Sequence, residues 1–180
     1  LEFRRVLFRS FGGDNESATA LAIQPSDGRV VAVGYSDATG IPAFALARYD
    51  RDGSLDKRFA DDGKRLFSFG GTFNMAHAVA IQPQDGKILV AGETNTAGTV
   101  DFALVRFKPD GEEDPSFGAA GKVLADFGSN ESAYAMAIQP DGKIIVAGVT
   151  NVLGKTSFAI LRVTSDGLAD SSFRSEEHTS

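Results

Sequence analysis

Arginine and aspartate recur at a fixed spacing of eight residues, three times along the chain. The three pairs are Arg48 and Asp56, Arg106 and Asp114, and Arg162 and Asp170. A guanidinium and a carboxylate form charge-assisted hydrogen bonds, so each pair can either contact a ligand or join two parts of one structural unit. We favour the structural interpretation, a bond that fixes a turn in each unit, because catalysis rarely needs identical groups in every copy.

Short polar segments form a second recurring set, and each is followed by a glycine. They are Ser36 and Asp37, Thr94 and Asn95, and Thr150 and Asn151. We expect them in the loops between the second and third strands of each unit, on the same face as the loops that join successive units. Polar groups on converging loops predict a ligand-binding face, although the same residue types also form local turns without any ligand.

Metal and catalytic chemistry find little support in the sequence. Residues 50–53 resemble an acidic calcium-binding loop, but Lys108 and Thr164 replace Asp50 in the other copies, so a metal common to every unit is excluded there. A single site in the first unit stays open. His77 has Thr19 and Tyr134 as its counterparts and so forms neither a repeated metal site nor a triad. We predict no catalytic residue, no metal and no cofactor.

Carboxylate pairs for glycoside chemistry cannot be chosen among so many acidic residues. Glu112 and Glu113 are the densest pair, and we expect these neighbours on a turn to diverge into solvent. The net charge of −6 argues against a nucleic-acid partner, which would require a basic stripe. Glycine and charged residues interrupt every apolar run, which predicts no membrane insertion.

The two ends of the chain differ from everything between them. Residues 174–180 can be encoded by a DNA string whose reverse complement encodes residues 4–10. This relation is typical of a sequencing adapter translated at both ends of an insert, so we expect 1–10 and 174–180 to be non-native scars around a fragment of a longer gene. With them set aside, His77 is the single native histidine and zero cysteines exclude disulfides.

Between these ends, one pattern is repeated three times. Phe-Gly opens the copies at Phe11, Phe69 and Phe127, 58 residues apart, and Ala-Ile-Gln-Pro follows in each. This period indicates a repeat architecture with units at 11–68, 69–126 and 127–173, the last one incomplete.

Each unit is predicted to contain four short strands, except that the incomplete third unit lacks the fourth. The first alternates alanine with larger residues, the second is apolar on both faces, and Asp-Gly turns separate the strands. These features predict an all-β fold, a β-propeller fragment of about three four-stranded antiparallel blades in an open arc, with the first strand innermost. A stacked β-solenoid is the alternative, although its coils are usually shorter.

The string from Ala137 to Gly148, Ala-Ile-Gln-Pro-Asp-Gly-Lys-Ile-Ile-Val-Ala-Gly, resembles the delta-60 repeat, a bacterial β-propeller repeat of unknown function. The segments Phe102-Ala-Leu-Val-Arg106 and Asp114-Pro-Ser-Phe-Gly118 carry the same resemblance. It implies a bacterial protein that is secreted or attached to the cell surface and contains many units in tandem. It implies no activity, because the family has no assigned catalytic residues.

We therefore predict a non-catalytic segment that serves as a surface recognition or structural scaffold module. The expected partners are neighbouring blades of the parent protein, and a carbohydrate or protein ligand is also open. The alternative is part of a secreted propeller enzyme that acts on a polymer such as a polysaccharide. Three units are too few to close a ring of four to eight blades, so we expect exposed end faces and self-association.

Overall fold

The computed structural model describes residues 10–96 and 98–173, so the predicted terminal scars lie outside the described residues except for Ser10. These described residues form eleven β-strands. The first four are β1 (Glu16–Ile23), β2 (Val30–Ser36), β3 (Ala43–Tyr49) and β4 (Lys64–Phe67). The next four are β5 (Asn74–Ile81), β6 (Ile88–Thr94), β7 (Asp101–Phe107) and β8 (Lys122–Ala125). The last three are β9 (Asn130–Ile138), β10 (Ile144–Val152) and β11 (Lys155–Val163).

The strands form three antiparallel sheets, and each sheet follows chain order. The first sheet has the order β1-β2-β3-β4, the second β5-β6-β7-β8, and the third β9-β10-β11 within the described residues. None of the three is closed into a barrel. The predicted all-β fold of propeller blades is confirmed. No helix long and apolar enough to cross a membrane occurs in the described part of the chain.

The first strands of the three sheets lie side by side, β1 against β5 and β5 against β9. A β-bulge interrupts each of them, at Thr19, His77 and Tyr134. The bulge side chain reaches toward the next sheet: the Thr19 hydroxyl donates to the Ala76 carbonyl at 2.7 Å, and the His77 ring meets the Tyr134 ring at 5.4 Å. The bulges therefore help to tie the first strands of the three sheets together.

Two apolar clusters hold the sheets together, one in each space between neighbouring sheets. Phe44 and Leu46 of β3 belong to the first cluster, and Phe102 and Leu104 of β7 belong to the second. Strand β6 supplies both, because alternate residues point to opposite faces of a sheet: Ile88 and Val90 enter the first cluster, whereas Leu89 and Ala91 enter the second. This double burial explains the continuous apolar run of the second strand.

The β10–β11 hairpin corrects one expectation from sequence. Thr150 and Asn151 were expected in a loop, but they lie within β10, which pairs with β11 up to a turn at Leu153 and Gly154. Ser36 and Thr94 likewise are the last residues of their strands. The first two hairpins open earlier because the side chains of Asp37 and Asn95, just after those strands, bond to the segment before the sheet's first strand.

Candidate functional site

The structure brings each repeated arginine and aspartate together. The Nε atom of the arginine lies 3.0 Å from an Asp56 carboxylate oxygen, 2.8 Å from Asp114 and 2.9 Å from Asp170 in the three sheets. The aspartate begins a turn after the third strand, and its backbone N–H also bonds to the arginine carbonyl in each copy. Each pair therefore fixes the chain after the third strand to that strand.

A second cation completes each pair, and sequence reasoning missed it. Arg29, Lys87 and Lys143 follow the first Asp-Gly turn of their copies, and each lies 3.0 to 3.2 Å from the same aspartate oxygen. The signal was present in the sequence, since a basic residue stands at this place in all three copies. In each sheet one aspartate carboxylate therefore bonds both to the arginine of the third strand and to the basic residue that follows the first Asp-Gly turn.

Electrostatics keep these aspartates ionised. Burial would raise the pKa of Asp114, but hydrogen bonds from Ser116, the Lys87 ammonium and the Arg106 charge outweigh it and hold the pKa far below its usual range. The pKa of Asp170 is lowered in the same way by Ser172 and Lys143, against a smaller effect of burial, and by the charge of Arg162. These carboxylates therefore stay ionised near neutral pH, where they serve a structural role and cannot act as general acids.

The same arginines also connect neighbouring sheets. The Nη1 atom of Arg48 donates to the Pro109 carbonyl of the second sheet, and Nη1 of Arg106 donates to the Ser165 carbonyl of the third at 2.7 Å. Beside these bonds, the Ala60 N–H donates to the Asp110 carbonyl at 2.7 Å. The group predicted to fix a turn is therefore also part of the contact between blades.

The polar residues predicted as a ligand face have internal partners. Ser36, Thr94 and Thr150 are buried, and their hydroxyls donate to one equivalent position, occupied by Glu16, Asn74 and Glu131 in turn. These hydroxyls are thus held by the start of the first strand in every sheet, not directed toward solvent.

Asp37, Asn95 and Asn151, which follow these three residues in the chain, differ in their hydrogen bonds. The Asp37 carboxylate accepts from the backbone and side chain of Asn15, and these bonds lower its pKa. Asn95 exchanges hydrogen bonds with Thr72. Asn151 is exposed, and its backbone carbonyl accepts from Ser129. Of the six predicted ligand residues, Asn151 alone has an exposed side chain without a bond to the described residues.

The other sequence candidates are also engaged. Asp50 of the calcium-like loop accepts from Arg29 at 2.7 Å, and Asp52 accepts from Ser54. Glu112 and Glu113 do not diverge as expected, because both face Arg65 of the first sheet, at 3.7 and 2.8 Å. A single guanidinium between the carboxylates explains this convergence.

Three carboxylates converge between the second and third sheets. One oxygen each from Asp101, Asp126 and Glu131 lies within 4.8 Å of the others, and Asp101 and Glu131 are buried. Burial raises the pKa of Asp101 despite a hydrogen bond from Thr99, and the charges of Asp126 and Glu131 raise it further. Sequence reasoning missed Asp101 and Asp126 because it weighed the positions that all copies share, whereas Ala43 and Ser68 occupy these two positions in the first copy.

The outer faces of the first and third sheets expose residues whose counterparts are buried. Phe158 is 95% exposed and Ile160 52%, whereas Phe102 and Leu104 of the second sheet are fully buried. On the opposite end Leu21 and Ile23 are 67% and 61% exposed, although their counterparts in β5 and β9 pack in the two clusters. These two exposed surfaces, which we call the end faces, correspond to the two sides of the contact that neighbouring sheets form inside the chain. Within the described residues, neither end face is covered by a further sheet.

Antiparallel sheets that pack face to face, with their first strands side by side, define this chain as a β-propeller repeat protein. A family model described as a domain of unknown function (DUF5122) beta-propeller matches residues 26–59, 84–117 and 139–173. The matched segments make up more than half of the chain, so it belongs to this family, and the predicted delta-60 type of repeat is confirmed. No curated protein matches the chain significantly.

Proposed function

We propose that this chain is a non-catalytic scaffold module whose open end faces dock further blades of the same repeat. In a solution of this chain alone, the docked blade is the end blade of a second copy. The observation that carries the proposal is that Phe173 on one end and Gly53 on the other are the two separated halves of a contact formed twice within the chain.

Within the chain this contact consists of a phenylalanine against a glycine of the next blade. A Cβ atom on Gly111 would lie 2.8 Å from the Phe59 ring, and one on Gly167 would lie 2.8 Å from the Phe117 ring. The corresponding Gly53 has nothing within 4 Å of such an atom, and the corresponding Phe173 is 37% exposed.

The surroundings of Phe173 match a docking face. Phe127, Phe158 and Phe173 line an open cavity of about 490 Å³ on the third sheet. Arg162 stacks on Phe173 at 4.5 Å, as Arg48 and Arg106 stack on their phenylalanines at 4.7 Å. Arg162 is therefore positioned to make the contact between blades that Arg48 and Arg106 make within the chain. Its acceptor on an incoming blade would be the Arg51 carbonyl, which corresponds to the Pro109 carbonyl.

Scaffolding is better supported than either of the other functions considered. Ligand recognition by the loop residues is weakened because five of the six have internal bonds. A polymer enzyme needs an acid and a base that a polymer can reach, but two of the three converging carboxylates are buried between sheets. A secreted or surface location fits a scaffold and is part of the proposal.

Sedimentation velocity over a range of protein concentrations tests the docking. We expect the wild-type chain to associate, and Phe158→Glu to remain at the mass of one chain because a charge cannot be buried without a partner. Leu153→Asn is the matched control, since Leu153 is equally exposed but lies in the β10–β11 turn, away from the end face.

Association can end in closed pairs or continue into filaments, because a head-to-tail contact forms rings only when its rotation closes. Two copies of three sheets would give a ring of six blades, within the usual range of four to eight. Either outcome supports docking. A wild-type chain that stays monomeric at the highest concentration, or equal association of Phe158→Glu and wild type, would contradict it.

A further inference from the structure

The space between the second and third sheets differs chemically from the space between the first and second. In the latter, the side-chain amide of Asn74 donates to the Ser68 hydroxyl at 3.2 Å and to the Pro42 carbonyl at 3.1 Å. The donor and its acceptors form a closed local network there. No cation is needed to balance it.

Beyond β8, the two residues equivalent to Asn74 and Ser68 both carry carboxylates. Glu131 replaces Asn74 and Asp126 replaces Ser68, while Asp101 replaces Ala43 at the start of the adjoining strand. The amide donor has been lost and three negative charges have been added. Oxygen atoms now face one another where the preceding copy has a hydrogen bond.

One carboxylate oxygen of Glu131 is buried without a partner. Oε1 of Glu131 accepts from the Ser129 N–H and the Thr150 hydroxyl, but Oε2 has no hydrogen-bond partner and the residue is fully buried. A buried carboxylate oxygen without a donor costs free energy unless a cation or proton compensates it. Turning the side chain away would break both of the hydrogen bonds that Oε1 accepts.

We propose that Asp101, Asp126 and Glu131 bind a hard divalent cation, Ca²⁺, between the second and third sheets. Calcium takes six to eight oxygen ligands at about 2.3–2.6 Å, so opposite ligands can lie about 5 Å apart. Three oxygens within 4.8 Å of one another fit inside that sphere. Asp126 is exposed, which leaves room for water molecules to complete the coordination.

Calcium would join two blades, because Asp101 begins β7 and Asp126 follows β8, both in the second sheet, whereas Glu131 belongs to β9 of the third. Its role is therefore to strengthen one particular blade contact. The proposal is independent of docking at the end faces, since every ligand lies inside one chain.

Titration of the chelator-treated wild-type chain with CaCl₂, followed by calorimetry and by the melting temperature, tests this site. We expect one saturable site per chain with a dissociation constant on the order of 10⁻⁴–10⁻³ M, the range of extracellular calcium modules. The melting temperature should rise with calcium concentration. Magnesium should bind more weakly because it requires a smaller and more regular set of ligands.

Two variants and a control locate the site. Asp101→Asn and Glu131→Gln should each weaken calcium binding at least about tenfold, since each removes one charged ligand. Both should also melt at a higher temperature than calcium-free wild type, because they relieve repulsion between buried carboxylates. Asp14→Asn removes an exposed charge before β1 and should leave calcium binding unchanged.

The proposal is overturned if the wild-type chain shows no saturable calcium binding up to about 10 mM. It is also overturned if the two variants bind calcium as the wild type does. Should one variant fail to fold, the other variant and the wild-type titration still decide the question.

Discussion

At the scale of single residues, each repeated aspartate binds two cations and begins a turn. Asp114 is 4% exposed and contacts Arg106 and Lys87 at 2.8 and 3.2 Å. Removing one member of such a buried group leaves the other charges without compensation, which typically costs about 3–5 kcal/mol. The pairs therefore belong to the machinery that holds the blades in shape.

We expect stability to fall in acid and Asp114→Asn to blunt that fall. The folded-state pKa of Asp114 is lowered, so its contribution is present above the unfolded pKa of about 3.9 and is lost as the pH drops below it. Urea unfolding at neutral and strongly acidic pH measures the effect. At neutral pH the variant should lose about 3 kcal/mol of unfolding free energy.

Asp62→Asn serves as the control for this prediction, because Asp62 is exposed and its one ion pair within the described residues is with Lys57 at 3.6 Å. The Asp62→Asn variant should be as stable as the wild type at neutral pH and should lose as much stability as the wild type in acid. An Asp114→Asn chain with wild-type acid sensitivity would show that other groups dominate the titration.

At the scale of elements, the turns after the third strands have a second role as surfaces for the neighbouring blade. Gly111 and Gly53 occupy the same position in successive copies and both have a positive φ, 92° and 85°. Only Gly111 lies against a phenylalanine ring of the preceding blade. The same turn is therefore an interior contact in one copy and an open surface in the other.

Gly111→Ala should destabilise the protein more than Gly53→Ala. Both substitutions carry a left-handed backbone cost of roughly 1–2 kcal/mol, but the new methyl group at 111 also meets the Phe59 ring, which adds about 1–3 kcal/mol. Urea unfolding of both variants in the Phe158→Glu background, where end-face docking is prevented, gives the comparison. Equal losses would mean that the ring moves aside without cost.

At the scale of the whole molecule, stability resides in the contacts between sheets, as in other repeat proteins. The second sheet is covered on both faces, whereas the first and third are each covered on one face in the described residues. Any partner that covers an end face adds one more contact of the same kind. The molecule should therefore become more stable as it associates.

The melting temperature of the wild-type chain should accordingly rise with protein concentration, because association favours the folded state by mass action. Phe158→Glu should abolish this dependence, and Leu153→Asn should preserve it. Scanning calorimetry at several concentrations makes the measurement. A melting temperature of the wild type that does not change with concentration would contradict the coupling of docking to stability.

Sequence patterns predicted much of the fold, because the local signals agree in each copy. Alternating alanines, the apolar run through Ile88 and the Asp-Gly turns indicated strands and hairpins, and the spacing of Arg106 and Asp114 indicated a bond across a turn. The end of β10 was wrongly predicted because Asn151 resembles Asp37 and Asn95 in type. The side chains of Asp37 and Asn95 bond to the segment before the first strand of their sheet, whereas the side chain of Asn151 does not do so within the described residues.

By itself, the sequence determined the repeat, most of the strands and the family, since these depend on periodicities that each copy carries within itself. Only the tertiary structure decided which side chains meet across two blades. Asp101 and Asp126 belong to the second sheet and the segment after it, and Glu131 belongs to the third. Gly53 and Phe173 are distinguished from their counterparts only by what packs on them. The contacts between blades depend on how whole sheets stack, which no local pattern records.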